Sequence, residues 1–368
     1  MKCKSFGKCG SCTLYDISYQ KQIDKKSSYI KNEFCQFYDK EIDFYESSST
    51  HFRNRAEFRI WHDKEQISYA MNGFNKKDIV KINSCQIVEK KIQDMMGDIL
   101  EYIQSNQILK NRLFTIEYIS GEELLVTLIY HRKIDKIWEE EAGKLEKKFS
   151  IFIIGRSRGV RKVLTKDFVY QNLSVLGKRY RYKVYENSFL QPNTKVNEKM
   201  ISWAKKYSKD FGGDMLELYC GHGNFTIPLS ENFKKVLATE ISKKSIKSAK
   251  ENCIINDIDN IFFARLSAEE FTSALNKERE FKRLKDVNLD SYDFSTIFID
   301  PPRAGVDKKS LSLVSVFDNI IYISCNPETL KRDLQELCKT HRVVRFAVFD
   351  QFAYTNHLEC GVVLRKTL

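Results

Sequence analysis

From about residue 211 the chain alternates short apolar runs with helical stretches, and this rhythm constrains the fold more than any other feature. The apolar runs are 215–219, 235–239, 261–264, 295–299 and 319–323. Helical patterns separate them at 242–252, 267–276 and 326–339. Such alternation predicts a doubly wound parallel sheet. Two last apolar runs, 342–349 and 358–364, lie close together and predict a terminal hairpin.

The first half of the chain has a different pattern. Residues 51–62 alternate with a period of two, which predicts a half-buried strand. One face carries Phe52, Asn54, Ala56, Phe58 and Ile60, and the other carries Arg53, Arg55, Glu57, Arg59 and Trp61. Further strand-like runs are at 112–120, 123–131, 151–156 and 179–185, and helical patterns are at 86–104 and 134–148. We expect an arm and helix over 1–40, an α+β domain with an antiparallel sheet over 41–190, and a Rossmann-like α/β domain over 191–368.

The charge balance indicates a polyanionic partner. Lys and Arg number 61 against 49 Asp and Glu, a formal net charge of +12. Residues 1–190 hold 34 of the basic and 25 of the acidic side chains, so most of the excess lies in the first half. Nucleic acid and an anionic membrane surface both fit. No apolar run reaches the roughly 18–20 residues of a membrane span, and no apolar segment follows Lys2 and Lys4 as in a secretory signal, so we expect a cytoplasmic protein.

The first strands of the predicted parallel sheet end in residues that suit a nucleoside cofactor. The run 215–219 contains Glu217 and leads into a turn with Gly221 and Gly223, where a ligand can approach the backbone. Glu240 ends the next strand, 23 positions after Glu217. An acid at that spacing is placed to bind ribose hydroxyls. A short glycine turn alone is often only structural, but the turn and the spacing of Glu240 together favour a nucleoside cofactor.

Later strands end in groups that suit covalent chemistry. Asp300 follows 295–299 and precedes two prolines; it is either a plain end of the strand or a site residue. Cys325 follows 319–323, just before a helix predicted to start near Pro327, and a helix N-terminus lowers the pKa of a thiol. A buried structural cysteine is the alternative. Glu359 interrupts an apolar segment and is a candidate base.

Together these stretches resemble the S-adenosylmethionine-dependent RNA uracil-5-methyltransferases, and most closely the members that modify tRNA. The matching segments are 51–62, 186–193, 216–225, 236–241, 300–303, 322–330 and 349–360. The resemblance implies S-adenosyl-L-methionine as cofactor and tRNA, bound at its T-arm, as partner. It leaves no support for a membrane partner and implies no obligate protein partner.

The resemblance also implies a role for individual residues. Cys325 is the nucleophile and Glu359 the proton acceptor, and the cofactor pocket is lined by Gln191, Tyr219, Asn224, Glu240 and Asp300. Because uracil C5 is a poor nucleophile, a thiolate adds to C6, C5 takes the methyl group, and a base then removes the C5 proton. The implied product is 5-methyluridine at T-loop position 54.

The RNA contacts are expected in the basic first half. Arg53, Arg55 and Arg59, with Phe58 and Trp61 nearby, suit phosphate contact and base stacking, and Arg303 is a further candidate. A solvated strand face is the alternative for these arginines. The stretch from Arg156 to Lys183, with nine basic residues against Asp167, is a second candidate surface.

Three cysteines near the start of the chain have no counterpart in the better-known tRNA enzymes. Cys3, Cys9 and Cys12 have the spacing of the arm in the related ribosomal-RNA enzymes, which holds a four-iron cluster. Cys85 is the natural fourth ligand. Four thiolates suit a [4Fe-4S] cluster or zinc, and the resemblance favours the cluster. An arm that has lost its metal is the remaining alternative.

Three rival functions stay open on the sequence. The same reaction on ribosomal RNA is one, because of the cysteine arm. Methylation of a base amino group is another, although that chemistry usually has an aromatic residue where Arg303 stands, and it needs no thiol. An RNA chaperone that binds tRNA without turnover is the third.

Overall fold

The computed structural model describes residues 3–75 and 78–367. In chain order the strands are β1 (Asp43–Tyr45), β2 (Arg55–Asp63), β3 (Gln66–Asn72), β4 (Ile79–Ile82), β5 (Leu113–Ser120), β6 (Leu124–Tyr130), β7 (Phe152–Ser157), β8 (Val160–Val163), β9 (Phe168–Val175), β10 (Lys178–Tyr185), β11 (Asp214–Leu218), β12 (Val236–Thr239), β13 (Ile261–Ala264), β14 (Phe294–Ile299), β15 (Asn319–Ser324), β16 (His341–Phe349) and β17 (Glu359–Lys366). The α-helices are α1 (Tyr19–Phe34), α2 (Lys90–Ser105), α3 (Gln107–Lys110), α4 (Lys136–Phe149), α5 (Thr194–Ser208), α6 (Thr226–Leu229), α7 (Lys243–Ile255), α8 (Ala268–Leu275), α9 (Lys308–Val314) and α10 (Pro327–Leu337). Short 3-10 helices lie at Ser230–Asn232, Lys282–Leu284 and Leu289–Ser291.

The second half of the chain forms the predicted doubly wound sheet. Its order is β1-β16-β17-β15-β14-β11-β12-β13, and β11 to β15 run parallel. The predicted hairpin is present, and β17 lies antiparallel between β15 and β16. The edge strand β1 comes from the first half of the chain and pairs parallel with β16. The predicted α/β fold class is therefore confirmed, while the domain boundaries at 40/41 and 190/191 stay a prediction.

A seven-stranded sheet lies in the first half, in the order β4-β3-β2-β5-β6-β7-β8. The alternation predicted for residues 51–62 is present on β2, where Ala56, Phe58 and Ile60 are buried. All neighbours are antiparallel except β6 and β7, which are parallel. The exception follows from α4, which connects these two strands, because a helical crossover returns the chain in the same direction.

The helices of this half cover the sheet with amphipathic faces. Ile92, Met96, Ile99 and Ile103 of α2 recur on one face of the helix and are fully buried. Trp138 of α4 is also fully buried and packs edge-to-face on Tyr130. Within residues 3–75 and 78–367, no helix combines the length and the apolar composition needed to cross a membrane.

Two further elements connect the halves. The β9–β10 hairpin packs on α5 and α7, and the Tyr182 hydroxyl donates to the Asn224 carbonyl at 3.1 Å. Helix α1 is fastened to the residues after β16 by an ion pair between Lys26 Nζ and Asp350 Oδ1, at 2.6 Å. Both partners of this pair are buried. The amino-terminal helix is therefore part of the wall behind the carboxyl edge of the large sheet.

Candidate active site

Four predicted site residues stand directly after parallel strands. Tyr219, Glu240, Asp300 and Cys325 follow β11, β12, β14 and β15. Leu218 is paired with both Thr239 and Ile299, so these strands end level with each other. The fifth residue, Glu359, begins the antiparallel strand β17 and so reaches the same edge.

These residues share one cavity of about 900 Å³. Six of the seven residues predicted for catalysis and cofactor binding line it: Gln191, Tyr219, Glu240, Asp300, Cys325 and Glu359. The seventh, Asn224, is not among the lining residues. Its side chain exchanges hydrogen bonds of 2.8 and 3.0 Å with the Asn197 side chain, so it supports the wall of the site from outside the cavity.

The turn after β11 brings backbone N–H groups towards the cavity. Tyr219 and Gly221 both have left-handed φ angles, +65° and +55°, and an aromatic residue seldom adopts that conformation. The Gly221 N–H donates to Glu240 Oε2 at 3.2 Å, and the Ser242 N–H donates to Oε1 at 2.8 Å. The Glu240 carboxylate is thereby fixed at the cavity wall.

The cavity wall beyond Glu240 is formed by residues that were not predicted from the sequence. Ile241, whose side chain is 69% exposed, and the segment 266–268 line the cavity next to it. That segment follows β13, which is parallel to β12 and ends at the same edge. The strand at 261–264 was predicted, and the same reasoning about strand ends would have identified this segment. The resulting apolar slot suits the planar base of a nucleoside.

Burial changes the ionisation of the carboxyl groups in the site. Burial raises the pKa of Asp300 to about 7. Burial, and then the nearby Asp300, raise the pKa of Glu359 well above its usual value, although Arg303 opposes this. Glu217, which lies inside β11, also has a raised pKa of about 8, caused mainly by burial. Each of these carboxyl groups therefore holds a proton more tightly than a solvent-exposed carboxyl group does.

The structure contradicts the lowered pKa expected for Cys325. Burial, followed by the carboxyl groups of Glu359 and Asp300, raises the pKa of this thiol to about 11, and Arg303 offsets only part of the rise. Cys325 precedes Asn326, the N-cap of α10, so it does stand at a helix N-terminus. The desolvation and the two acidic neighbours outweigh that effect. The thiol must lose its proton to a neighbouring group when it reacts.

The predicted RNA-binding residues fall into different settings. Arg53 and Arg303 line the cavity, whereas Arg59 lies outside it with its guanidinium 5.5 Å from the Phe114 ring centre. Arg55 also lines the cavity. Its Nη1 donates to the Ser188 carbonyl at 2.9 Å, so part of its guanidinium already makes a hydrogen bond within the protein. The expected stacking role of Phe58 is wrong, since Phe58 is 2% exposed and packs in the core.

The basic stretch from Arg156 to Lys183 is largely neutralised within the protein. Arg161 bonds the buried Glu186 at 2.9 Å, and Arg181 pairs with Glu122 at 2.6 Å. Lys183 pairs with Glu251 at 3.1 Å. Since the charges are compensated, this stretch is a weaker candidate surface for RNA than its composition indicates.

Cys3, Cys9 and Cys12 of the arm, together with Cys85, line a second cavity of about 650 Å³. Burial, and then the thiols of Cys85, Cys9 and Cys3, raise the pKa of Cys12 to about 12. In the described part of the chain, no three His, Cys, Asp or Glu side chains converge as ligands of one metal ion. The cavity shares a wall with the active site, formed by Arg53, Arg303, Phe352 and His357.

Comparison with known proteins identifies the family of the chain. The model of the family described as tRNA (Uracil-5-)-methyltransferase matches residues 18–367. The chain is 52% identical over 373 residues to the tRNA/tmRNA (uracil-C(5))-methyltransferase of Aliarcobacter butzleri, which covers 100% of this chain and 99% of that protein. It is 48% identical over 365 residues to the protein of the same name from Campylobacter concisus, covering 99% of both.

A solved structure shares the fold. The Pyrococcus abyssi tRNA (uracil-54, C5)-methyltransferase, solved in complex with S-adenosyl-L-homocysteine, superimposes with a TM-score of 0.74 at 22% identity. The match covers 97% of this chain and 86% of that one. The family model and the relatives agree, and the chain belongs to the family of S-adenosylmethionine-dependent tRNA (uracil-5-)-methyltransferases.

Proposed function

We propose that this enzyme methylates C5 of the uridine at T-loop position 54 of tRNA through a covalent bond between Cys325 and C6. The observation that carries the proposal is that Cys325 and Glu359 line one cavity with Tyr219 and Glu240. The named relatives act on tRNA and tmRNA, and the solved neighbour acts on uracil 54 of tRNA. These names favour tRNA over ribosomal RNA as substrate.

The first step forms a bond between the Cys325 sulfur and C6 of the uracil. The thiol proton must leave as this bond forms, because the pKa of the free thiol is about 11. We assign the proton to Asp300, whose pKa of about 7 leaves a good share of carboxylate near neutral pH. The electrons of the C5–C6 double bond then make C5 nucleophilic.

The second step transfers the methyl group and releases the product. S-adenosylmethionine, when held by Glu240 and the other pocket residues, would supply the methyl group that C5 takes and would leave as the neutral thioether. Glu359 then takes the C5 proton, the C5–C6 double bond re-forms, and the Cys325 sulfur departs. The raised pKa of Glu359 makes its carboxylate a strong enough base for this carbon acid.

Cofactor binding is proposed for the edge residues. Glu240, held by the Gly221 and Ser242 N–H groups, accepts hydrogen bonds from ribose hydroxyls. Tyr219, Gln191 and Asp300 complete the pocket around the rest of the cofactor. Asn224 is proposed to act through its bonded partner Asn197, since its own side chain is already engaged there.

The RNA is proposed to reach this site with its target base turned out of the loop. A stacked base is inaccessible to Cys325, so the nucleotide must leave the stack. Phe189, 71% exposed at the cavity, offers a ring on which the base can stack. Outside the cavity, Phe114 stacks on His131 with centroids 4.1 Å apart, and Arg59 lies beside this pair. Rings and guanidinium groups of this kind suit the T-arm.

Release of tritium from C5 tests the covalent route. A T-arm hairpin labelled at C5 of uridine is incubated with enzyme and S-adenosylmethionine. We expect the wild type to release tritium, Cys325→Ala to release none, and the control Cys338→Ala, which lies outside the cavity, to behave as the wild type. Tritium release by Cys325→Ala at the wild-type rate would contradict the proposal.

For the arm we propose that Cys3, Cys9, Cys12 and Cys85 hold a [4Fe-4S] cluster. Four thiols facing one cavity supply the ligand set that such clusters use. The spacing of Cys3, Cys9 and Cys12, which is similar to that of the cluster-binding arm in the related ribosomal-RNA enzymes, favours the cluster over zinc. When bound, the cluster would cross-link the arm to the residues around Cys85.

The metal content is measured directly. Protein purified without oxygen is analysed for iron, acid-labile sulfide and visible absorbance. We expect about four irons and a brown colour in the wild type, loss of both in Cys85→Ser, and retention of both in the control Cys35→Ser, an exposed cysteine. Colourless wild-type protein containing zinc or no metal would contradict the proposal.

A further inference from the structure

The side chain of Gln191 in the active site is held by a second glutamine. Gln351 Nε2 donates to Gln191 Oε1 at 3.3 Å. The same Nε2 group lies 3.1 Å from the sulfur of Met200. A carbonyl oxygen cannot donate to a thioether, so the two acceptors determine which end of the Gln351 amide is nitrogen. Gln351 is fully buried and Gln191 is 5% exposed, at the cavity.

The backbone that carries Gln351 is held in place on its amino-terminal side. The preceding residue, Asp350, accepts from Lys26 Nζ at 2.6 Å and from the Tyr19 hydroxyl at 2.8 Å. The Gln351 N–H itself donates to the Phe349 carbonyl at 3.0 Å. The glutamine pair therefore rests on a buried scaffold and does not depend on a mobile surface segment.

This contact decides what Gln191 offers to a ligand. An amide can present either an acceptor or a donor, and rotation by half a turn exchanges them. Because Gln351 donates to the Gln191 oxygen, the Gln191 N–H groups remain for the cavity, and they meet no acceptor within the described part of the chain. The free end of Gln191 is accordingly a hydrogen-bond donor.

We propose that Gln351 is a positioning residue that turns the Gln191 amide so that its N–H groups bind the carboxylate of the cofactor's methionine part. A carboxylate accepts hydrogen bonds only, so the reversed amide would repel it. The inference rests on the proposed role of Gln191 in the cofactor pocket. The inference adds Gln351 as the residue that makes Gln191 a hydrogen-bond donor to the cofactor.

Calorimetric titration with S-adenosyl-L-homocysteine tests the inference without turnover or RNA, so failure of the proposed covalent route would not affect the result. The variants are Gln351→Met, Gln191→Met, the double variant, and Gln104→Met. Gln104 is the matched control, since it is a glutamine with two structural hydrogen bonds far from the cavity. Thermal unfolding of each variant is measured alongside.

We expect Gln351→Met and Gln191→Met each to raise the dissociation constant about tenfold, and the double variant to be no weaker than Gln191→Met alone. Gln104→Met should bind as the wild type. Should Gln351→Met not fold, Gln351→Leu takes its place. Wild-type affinity in the Gln351 variant, or losses that multiply in the double variant, would overturn the inference.

Discussion

Cys325 and Glu359 occupy facing positions at the end of the β15–β17 ladder. Ser324 at the end of β15 is paired with Cys360 of β17. Because the two strands are antiparallel, the next residue, Cys325, stands opposite Glu359. Glu359 is at the same time paired with Phe349 of β16. The proposed nucleophile and the proposed base thus come from neighbouring strands of one sheet, which keeps their separation constant.

Replacing the base should trap the covalent intermediate. In Glu359→Gln the first bond and the methyl transfer still occur, but nothing removes the C5 proton, so the Cys325 sulfur cannot leave. We expect a protein–RNA complex that survives denaturing electrophoresis. The control Glu328→Gln changes an exposed carboxyl on α10 and should give free methylated RNA. Absence of the complex, with product formed at the normal rate, would remove Glu359 from its assigned role.

Activity should rise with pH through about 7. Asp300 accepts the thiol proton only as a carboxylate, and its pKa is raised to about 7 by burial. Below that pH the group is neutral and the reaction slows tenfold per unit, whereas above it the rate levels off. The measurement is kcat/KM for a T-arm hairpin from pH 5.5 to 8.5. Asp300→Asn should have lower activity and lack this rise; an unchanged profile in that variant would contradict the assignment.

Replacing Arg55 and replacing Arg59 should have different effects, the first on kcat and the second on the salt dependence of RNA binding. Arg55 bonds the Ser188 carbonyl and the Glu117 carboxylate, so Arg55→Ala should disturb the neighbouring segment that carries Phe189 and lower kcat. Arg59 has no carboxylate partner in the described residues and is free to meet phosphate. In RNA titrations at several salt concentrations, Arg59→Ala should reduce the salt slope by about one. Equal slopes for Arg59→Ala and the wild type would exclude a phosphate contact.

The buried ion pair should matter far more for stability than an exposed one. Asp350→Asn leaves Lys26 buried and without its counter-charge, which should lower the free energy of unfolding by about 3–5 kcal/mol. Asp63→Asn breaks the exposed pair with Lys81 and should cost at most about 1 kcal/mol. Denaturant unfolding of both variants makes the comparison. Similar losses in the two variants would show that α1 is not fastened through Asp350.

The sequence predicted which residues meet at the carboxyl edge of the sheet because its signals are local. Each of these residues directly follows a parallel strand: Tyr219, Glu240, Asp300 and Cys325. Since the carboxyl ends of parallel strands lie at one edge of the sheet, residues in these positions meet there. The wall at 266–268 belongs to the same category, although it was missed. Its residues carry no charge or thiol, so their types do not indicate a binding site.

Other features depend on contacts between distant parts of the chain. Nothing near Asp350 in the sequence shows that it pairs with Lys26, 324 residues away. The pairing of β1 with β16 is equally remote. The raised pKa of Cys325 depends on how closely Glu359 and Asp300 pack around it. The position of a residue at the end of a strand does not predict these distances.

Mapping the modified nucleotide tests the central claim most directly. Unmodified tRNA and ribosomal RNA are incubated together with the enzyme and S-adenosylmethionine, and each RNA is digested and read by mass spectrometry. We expect one new 5-methyluridine, at T-loop position 54 of tRNA, present with the wild type and absent with Cys325→Ala. Methylation confined to ribosomal RNA, methylation of a base amino group, or 5-methyluridine formed by Cys325→Ala would contradict it.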